Sequence, residues 1–391
     1  MTKQHSNQLL WRIASISGFN HAVISLGIIF LAPLLLHSHN FAILNPFSIA
    51  TKLKILGALM AVKPICEALT AFICSRFMLN SMQRLFYSCL IMIAFSLVLF
   101  ASAIVEGQLL LLFLAQICLG IGTAVIFLIQ TLINQRITIT QQARAFNVLE
   151  WSIGLGMLLG PMTGSWLAHL GSGWQPQIAY WIFVVVAIVL FVVAAPTIFT
   201  SSASPEPRKR YGAPINILDY LAWFCFMCGW HGYFYWFPTL LIHHLHYTPA
   251  GVGKVFTYMG LCYVICQFGI VRRFTHLRQQ RRVVLWALPI IALCIATMPI
   301  ASPVFLYVLL VIYMLAIAFL LPFWKAYVSA RSWRDSQRLF GMMTALTTLS
   351  SVVASVSGGF LSAYSITLTF SLSAALIFLA LMFLWLQNCL S

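Results

Sequence analysis

Runs of about twenty apolar residues, the length that matches the hydrocarbon core of a bilayer as a helix, repeat along this chain. Short polar breaks separate the runs. The composition agrees with a membrane environment, because 62% of the 391 residues are hydrophobic and 7% are charged. A soluble domain averages about 25% charged residues and could not cover so much apolar surface. The sequence therefore predicts an all-α membrane protein.

The runs and breaks predict twelve transmembrane helices, with expected spans of 10–36, 53–75, 85–105, 108–131, 145–169, 176–198, 214–242, 250–271, 283–300, 303–327, 340–364 and 367–388. The break over 199–213 differs from the others because it is rich in Ser and Pro and contains Arg208, Lys209 and Arg210. Such a composition is typical of a linker. We therefore expect a six-helix N-terminal bundle over 1–198, a linker over 199–213 and a six-helix C-terminal bundle over 214–391.

The basic residues indicate the orientation of the chain in the membrane. The net charge is +16, and most of the 22 Lys and Arg residues fall in the N-terminal segment or in breaks on the same side as that segment. Cytoplasmic loops of membrane proteins carry such an excess of positive charge, so both termini and the linker are predicted to be cytoplasmic. A nucleic-acid-binding protein would instead concentrate its basic residues on one face of a soluble domain. No nucleic-acid partner is expected.

The two halves share a spacing that indicates an internal duplication. Arg144 precedes Gly164 by 20 residues, and Arg338 precedes Gly358 by the same 20 residues. The offset between the two pairs is 194 residues. Duplication of a six-helix unit in parallel orientation is an architecture of membrane transporters.

The segment "GMLLGPMTGS" at 156–165 carries the most specific motif. It is similar to the G-x-x-x-G-P-x-x-G-G motif found in exporters of the major facilitator superfamily, with Gly156, Gly160, Pro161 and Gly164 at the matching positions. The resemblance extends over essentially the whole chain. It implies two six-helix bundles, transport by alternating access, export as the direction, and a central cavity lined by the first, fourth, seventh and tenth helices.

Two further segments resemble motifs of the same family with substitutions. The loop segment "AFICSRFMLNSMQR" at 71–84 keeps the family's basic residues as Arg76 and Arg84, whereas Ser75 replaces its aspartate. The resemblance implies that Arg76 and Arg84 belong to a cytoplasmic gate. In "QICLGIGTA" at 116–124, Gln116 stands where the family has an arginine that is often tied to proton coupling.

The three glycines of the 156–164 motif lie on one face of the predicted helix. Small residues four apart let helix backbones touch in lipid, and Pro161 removes a backbone hydrogen bond and bends the helix. Two interpretations follow for Gly156, Gly160, Pro161 and Gly164. They form a packing groove, or they form a hinge and seal against a helix of the C-terminal half.

Charged residues within the predicted helices are functional candidates, because charge is costly inside a membrane. Lys63 and Glu67 are four residues apart, so they face each other on one helix. They form either a self-neutralising pair or a pair that substrate or protons open. Glu150 either latches a gate by pairing with Arg76 or Arg144, or it titrates.

Two histidines, His21 and His231, lie in the middle of the first and seventh predicted helices, which are equivalent in a duplicated chain. Each is either satisfied by a neighbour on its helix or carries a coupling proton, since imidazole titrates near neutral pH. The seventh helix is also dense in aromatic residues, which suit flat or amphipathic ligands. The expected substrate-binding residues are Asn20, His21, Gln116, Trp230, His231, Tyr235 and Lys325. The proton-coupling candidates are His21, His231, Glu67 and Glu150.

These observations predict a secondary transporter in the inner membrane of a bacterium. It exports a small amphipathic molecule, such as a drug or a siderophore, as a proton antiporter. An importer of a nutrient or metal chelate on the same fold is the alternative, and a polytopic membrane enzyme is a remote one. An ATP-driven pump is disfavoured because the chain has no G-x-x-x-x-G-K-[ST] motif. The chain is expected to act as a monomer, with the lipid bilayer and the substrate as partners, and without catalytic residues, cofactor or metal.

Overall fold

The computed structural model describes residues 3–36, 41–136, 139–169, 174–194, 217–267, 280–331 and 336–390. Within these ranges the regular structure is helical and contains no strand. The α-helices are α1 (Lys3–Leu36), α2 (Ile49–Glu106), α3 (Leu109–Thr123), α4 (Val125–Arg136), α5 (Ile139–Leu167), α6 (Pro176–Ala194), α7 (Ile217–Thr239), α8 (Pro249–Ile265), α9 (Gln280–Thr297), α10 (Pro303–Arg331), α11 (Ser336–Tyr364) and α12 (Ile366–Leu390).

Nine segments within the described ranges are long and apolar enough to cross a membrane. They are Leu9–Leu36, Ile49–Cys74, Met82–Glu106, Leu109–Ile133, Pro176–Val193, Arg281–Ile300, Pro303–Trp324, Met342–Tyr364 and Ile366–Gln387. The prediction of an all-α, multi-pass membrane protein is therefore confirmed. The predicted spans 145–169, 214–242 and 250–271 correspond to α5, α7 and α8, which are helical but are not among the nine. The number of twelve membrane crossings stays a prediction.

Two predicted boundaries differ from the structure. The helix α2 runs without a break through the predicted loop near Arg84, because the segment 75–84 contains no Gly or Pro to end it. Conversely, the predicted span 108–131 is divided into α3 and α4 at Ala124. The division follows Gly120 and Gly122, and glycine is a poor helix former.

The chain forms two compact units. The first contains Met1–Phe47, Val62–Pro207 and Pro249–Thr257, and the second contains Ser48–Ala61, Arg208–Thr248 and Tyr258–Ser391. The first residues of α2 thus belong with the second unit, and the first residues of α8 belong with the first. The predicted linker over 199–213 lies outside the described residues, so the division at that point stays a prediction.

In the first unit, α1 packs along α5 and against α6. Phe19 of α1 stacks on Phe183 of α6 with ring centroids 5.9 Å apart, and Phe30 contacts Tyr180 edge-on. The opposite face of α6 exposes apolar side chains, which are Val185, Val189, Val192 and Val193. A helix with this exposed face is suited to contact with lipid, because water would make the exposure unfavourable.

In the second unit, α7 packs against α11 and α12, and aromatic rings connect it with α10. Trp223 of α7 contacts Trp324 of α10 edge-on with ring centroids 5.3 Å apart, and Tyr233 contacts Tyr313 at 4.8 Å. Small residues allow the close approach of α12, since a Cβ at Gly229 would collide with the carbonyl oxygen of Ser373. The middle of α7 is therefore held on several sides by neighbouring helices.

Candidate functional site

The glycine face of α5 lies directly against α1 in the first unit. A Cβ added at each glycine would collide with α1, at the carbonyl oxygen of Gly18 for Gly156, at the Ala22 carbonyl and the Ser25 hydroxyl for Gly160, and at the Leu26 side chain for Gly164. The face is thus a packing groove for α1, as one of the two interpretations expected. A seal of these glycines against a helix of the C-terminal half stays a prediction.

The residue that follows the groove makes a different contact. The Ser165 side chain lies where a Cβ at Gly253 of α8 would be placed, within the same compact unit. The helix α5 also continues through Pro161, which lacks the N–H that would bond the carbonyl four residues earlier. The segment 156–165 therefore packs closely on α1, lacks one backbone hydrogen bond at Pro161, and contacts α8 through Ser165 at its C-terminal end.

The corresponding crossing in the second unit joins α7 to α11 by hydrogen bonds. Ring nitrogens of α7 face hydroxyl and carbonyl oxygens of α11. The contacts are Trp223 Nε1 to Thr347 Oγ1 at 3.0 Å, His231 Nδ1 to Ser350 Oγ at 3.1 Å, and Trp236 Nε1 to the Ala354 carbonyl oxygen at 3.3 Å. We call this the α7–α11 seam.

The two crossings have matching registers. The Leu26 side chain occupies the space beside Gly164, and the Trp236 indole occupies the space beside Gly358. Gly164 and Gly358 are equivalent positions in the sequence repeat. The residues that contact them, Leu26 and Trp236, are therefore equivalent positions as well. Five residues earlier, the same pairing brings His21 of the first unit into correspondence with His231 of the second. The equivalence of the two histidines, expected from sequence, thus has support from the packing of each unit.

The two histidines differ in their surroundings. His21 is partly buried, and its Nδ1 lies 2.9 Å from the carbonyl oxygen of Ser17 on its own helix. His231 is 7% exposed and bonds across to Ser350 of another helix. Asn20, which precedes His21 in the sequence, is fully buried, and within the described residues neither amide atom of its side chain has a hydrogen-bond partner. Gln116 of α3 is also buried.

Aromatic rings surround His231 on α7. Trp230 stacks on Phe234 with ring centroids 5.8 Å apart, and the His231 ring lies 5.1 Å from Trp230 and 5.3 Å from Tyr235. The Tyr235 hydroxyl lies 2.6 Å from Ser351 Oγ. Trp230 and Tyr235 are partly exposed, whereas His231 is buried. The structure thus brings together three of the predicted substrate-binding residues.

The predicted pair on α2 is present. Lys63 Nζ lies 2.6 Å from Glu67 Oε2, and the two side chains are 15% and 23% exposed. A Cβ at Gly120 of α3 would collide with the Lys63 carbonyl oxygen and would lie 3.2 Å from the Glu67 backbone nitrogen. Glycine at 120 therefore allows α3 to approach the backbone of α2 at the residues that carry the charged pair. The i, i+4 pairing predicted from sequence is confirmed.

Residues 13–332 of the chain match the family model of the Major Facilitator Superfamily. The chain belongs to the major facilitator superfamily. No curated protein sequence matches it significantly. The family and the fold together identify this protein as a transporter and not an enzyme.

Solved structures of other transporters share the fold of this superfamily member over nearly its whole length. The D-xylose-proton symporter has a TM-score of 0.77 at 12% identity, with 97% of each chain covered. The human organic anion transporter MFSD10 (TETRAN) has a TM-score of 0.70 at 17% identity, covering 97% of this chain and 99% of that chain. The POT family transporter PepTSo has a TM-score of 0.70 at 11% identity, with 97% of each chain covered. At these identities the similarity concerns the fold.

Several predicted residues of this superfamily member fall where the structure describes no side chain. The side chains of Arg76, Glu150 and Lys325 lie outside the described residues, so their gate, coupling and binding roles stay predictions. Arg84 is described and is exposed.

Sequence reasoning missed the hydroxyl residues of α11 that form hydrogen bonds with α7. Thr347, Ser350 and Ser351 contact Trp223, His231 and Tyr235 respectively. A signal was present, because the segment "TALTTLSSVVASVSGG" at 344–359 is unusually rich in Ser and Thr for a membrane helix. Such hydroxyls commonly bond across helices in membranes.

Proposed function

We propose that this transporter exports a small amphipathic organic molecule from a bacterial cytoplasm in exchange for protons. The observation that carries the direction is the asymmetry between the two crossings. In the first unit, Gly160 and Pro161 give α5 a close contact with α1 and a missing backbone hydrogen bond. At the corresponding positions of α11 stand Ala354 and Ser355. A helix that lacks a backbone hydrogen bond at this position in one half, and keeps it in the other, suits a gate that opens toward one side.

The proposal includes the topology that such a transporter needs. It comprises twelve membrane crossings in two six-helix halves, both termini in the cytoplasm, and a linker at 199–213. The inner membrane of a bacterium is the proposed location, and the monomer is the proposed functional form. The concentration of Lys and Arg in the breaks on one side supports this orientation.

The substrate class is proposed from the surroundings of His231 and Asn20. The stacked rings of Trp230 and Phe234 offer a flat apolar surface. Tyr235, whose ring centroid lies 6.4 Å from that of Phe234, adds a hydroxyl group. The fully buried Asn20 amide is costly without hydrogen bonds, which favours a polar ligand group at that position. Gln116 and Lys325 are proposed as further polar contacts. An aromatic or amphipathic molecule with few charges satisfies these features best.

An importer of a nutrient or metal chelate is the second candidate. Ser75 and Gln116 keep this candidate open, because they replace the family's loop aspartate, which helps hold the cytoplasmic gate, and the family's arginine that is often tied to proton coupling. The similar D-xylose-proton symporter moves its sugar together with protons on this fold.

Transport into membrane vesicles of opposite orientation separates the two directions. We expect inside-out vesicles that contain the protein to accumulate a cationic aromatic probe, ethidium, when the interior is acidified. Vesicles from cells without the protein are the control. Profiling of the growth medium should then identify metabolites that cells release only when the protein is present. Accumulation restricted to right-side-out vesicles would favour the importer instead.

Replacing His231 with Gln is expected to flatten the dependence of transport on pH between about 5.5 and 7.5, where imidazole titrates. Glutamine retains hydrogen bonding and cannot carry the proton. The same change at His21 is expected to have this effect if both equivalent positions carry protons. His244 provides a control, because it lies in the segment after α7 and not within a helix of the candidate site. Its Nε2 lies 2.8 Å from the carbonyl oxygen of Pro299. An unchanged pH profile in both His21 and His231 variants would remove them as proton carriers.

A further inference from the structure

We propose that a crevice between α1, α2 and α6 binds one anionic phospholipid, with an acyl chain along the crevice and the phosphate group at Arg12. The crevice lies entirely within the first compact unit. The site is separate from the residues proposed to contact the substrate, and it assigns no direction to transport. It rests on the proposed function in one respect, that the N-terminal end of α1 lies at the cytoplasmic surface of the membrane.

The crevice is lined by apolar side chains. It has a volume of about 240 Å³, including the space at its open side. The lining residues are Ile16 and Phe19 of α1, Leu90 and Ile93 of α2, and Ala187 and Leu190 of α6. Leu190 has the lipid-exposed Val186 as its neighbour one turn earlier on α6. A flexible hydrocarbon chain that enters from this surface gains van der Waals contacts with three helices.

Arg12 lies at one end of this crevice by the geometry of α1. Arg12, Ile16 and Phe19 are spaced i, i+4 and i+7 on α1, so they lie on one face of the helix. Arg12 precedes Ile16 by one turn, a rise of about 6 Å. Its side chain is partly exposed, whereas Ile16 is buried. The helix thus presents a guanidinium group just beyond the apolar lining, toward its N-terminal end.

The positive charge of Arg12 has no acidic partner on the helices of the crevice. No Asp or Glu occurs in the segments 3–36, 82–105 and 176–194 of the sequence. Within the part of the chain that the structure describes, Arg12 makes no ion pair. A guanidinium group binds two oxygens of a phosphate through parallel N–H bonds. The charge at this end of the crevice is therefore complementary to a phosphate group.

The crevice and Arg12 together determine the class of ligand. The apolar lining begins one turn from the guanidinium group, so a single molecule that carries both an acyl chain and a negative charge contacts both. Anionic lipids are enriched in the cytoplasmic leaflet, and basic pockets between membrane helices on that side bind their headgroups. A zwitterionic phospholipid matches the crevice equally well but brings a cationic group close to Arg12.

Native mass spectrometry of the purified full-length protein tests the site, because it resolves each bound lipid by mass. We expect the wild type to bind its first phosphatidylglycerol roughly fivefold more tightly than its first phosphatidylcholine. Arg12→Gln is expected to lose this preference, since glutamine has no charge. Equal affinities for the two lipids in the wild type, or a preference retained in Arg12→Gln, would overturn the role of Arg12.

Arg282→Gln is the matched control for the charge. Arg282 is an exposed arginine near the start of α9 in the second unit, so its replacement changes the net charge by the same amount. The preference for phosphatidylglycerol should be unchanged in this variant. An equal loss in both variants would show that the net charge of the protein selects the lipid, which would overturn the assignment to the crevice.

Ala187→Phe tests the apolar part of the site, because the added ring fills the crevice at a buried lining residue. Binding of the first phosphatidylglycerol is expected to weaken roughly tenfold, the effect of losing contacts with about two methylene groups. Val185→Phe places the same ring on the exposed face of α6 and should bind as the wild type does. Equal affinities of the two variants would overturn the placement of the acyl chain. Arg12→Gln changes a partly exposed residue, so the test does not depend on the folding of Ala187→Phe.

Two other occupants of the site are distinguished in the same measurement. Glycerol 3-phosphate carries the anionic group without acyl chains, and its displacement of phosphatidylglycerol would identify a site for free phosphate. A wild-type dimer that disappears in Ala187→Phe would assign the crevice to a second copy of the chain. Either result would overturn the proposal. No transport is measured, so failure of this assignment is distinguishable from failure of the proposed export.

Discussion

Replacing Gly160 with alanine is expected to lower transport at least about tenfold and to lower the melting temperature by several degrees. The added methyl would collide with the Ala22 carbonyl oxygen and the Ser25 hydroxyl of α1. A carbonyl of a packed helix cannot move aside as a flexible side chain can. Overpacking costs about 1–3 kcal/mol, which corresponds to about 2–4 °C per kcal/mol in a unit of this size. Gly160→Leu is expected to abolish transport while the protein is still expressed.

Gly27→Ala provides the matched control for this prediction. Gly27 is a buried glycine of α1, and no heavy atom lies within 4 Å of a Cβ placed there. Both changes add one methyl and the same intrinsic gain in helix propensity, so the difference between them reports the contact with α1. Transport and melting temperature should be nearly unchanged in Gly27→Ala. Equal behaviour of the two variants would show that the contact at Gly160 has no role in transport.

The sequence predicts the helices of this protein better than their partners. Apolar runs fix where helices occur, because an apolar run in lipid must satisfy its own backbone hydrogen bonds. The contact faces are harder to predict, because a helix that is apolar all round does not distinguish lipid from a neighbouring helix. The glycine face of α5 was visible as a pattern, but its partner α1 was not. The small residues of α1 that contact this face, Gly18 and Ala22, are identified by the structure and not by the sequence pattern.

The candidate site shows the same difference between local and distant information. Lys63 and Glu67 are four residues apart, and helical geometry alone brings them together. His231 and Ser350 are separated by 119 residues in the chain. No spacing rule connects two such positions, and their contact depends on the register between α7 and α11. The internal repeat gives part of this register, because the equivalence of Gly164 and Gly358 aligns the α1–α5 crossing with the α7–α11 crossing.

Replacing Glu67 with Gln is expected to destabilise the protein and to reduce proton-driven transport at least about tenfold. The change removes the carboxylate 2.6 Å from Lys63 Nζ, and the remaining ammonium group loses this neutralising charge in a medium of low dielectric constant. Breaking a fully buried pair costs about 3–5 kcal/mol. Because these side chains are 15% and 23% exposed, about 1–3 kcal/mol is expected here. Glu106→Gln, at the exposed end of α2, should have little effect.

The double variant Lys63→Met/Glu67→Met distinguishes the two interpretations of the pair. Replacing both partners by apolar side chains removes the charges together and is often neutral for stability, so the melting temperature should return close to that of the wild type. Transport is expected to stay reduced and to lose its response to the proton gradient, because the double variant lacks the carboxylate that is a candidate proton carrier. Wild-type transport with its normal pH dependence in the double variant would instead identify the pair as a structural element of α2.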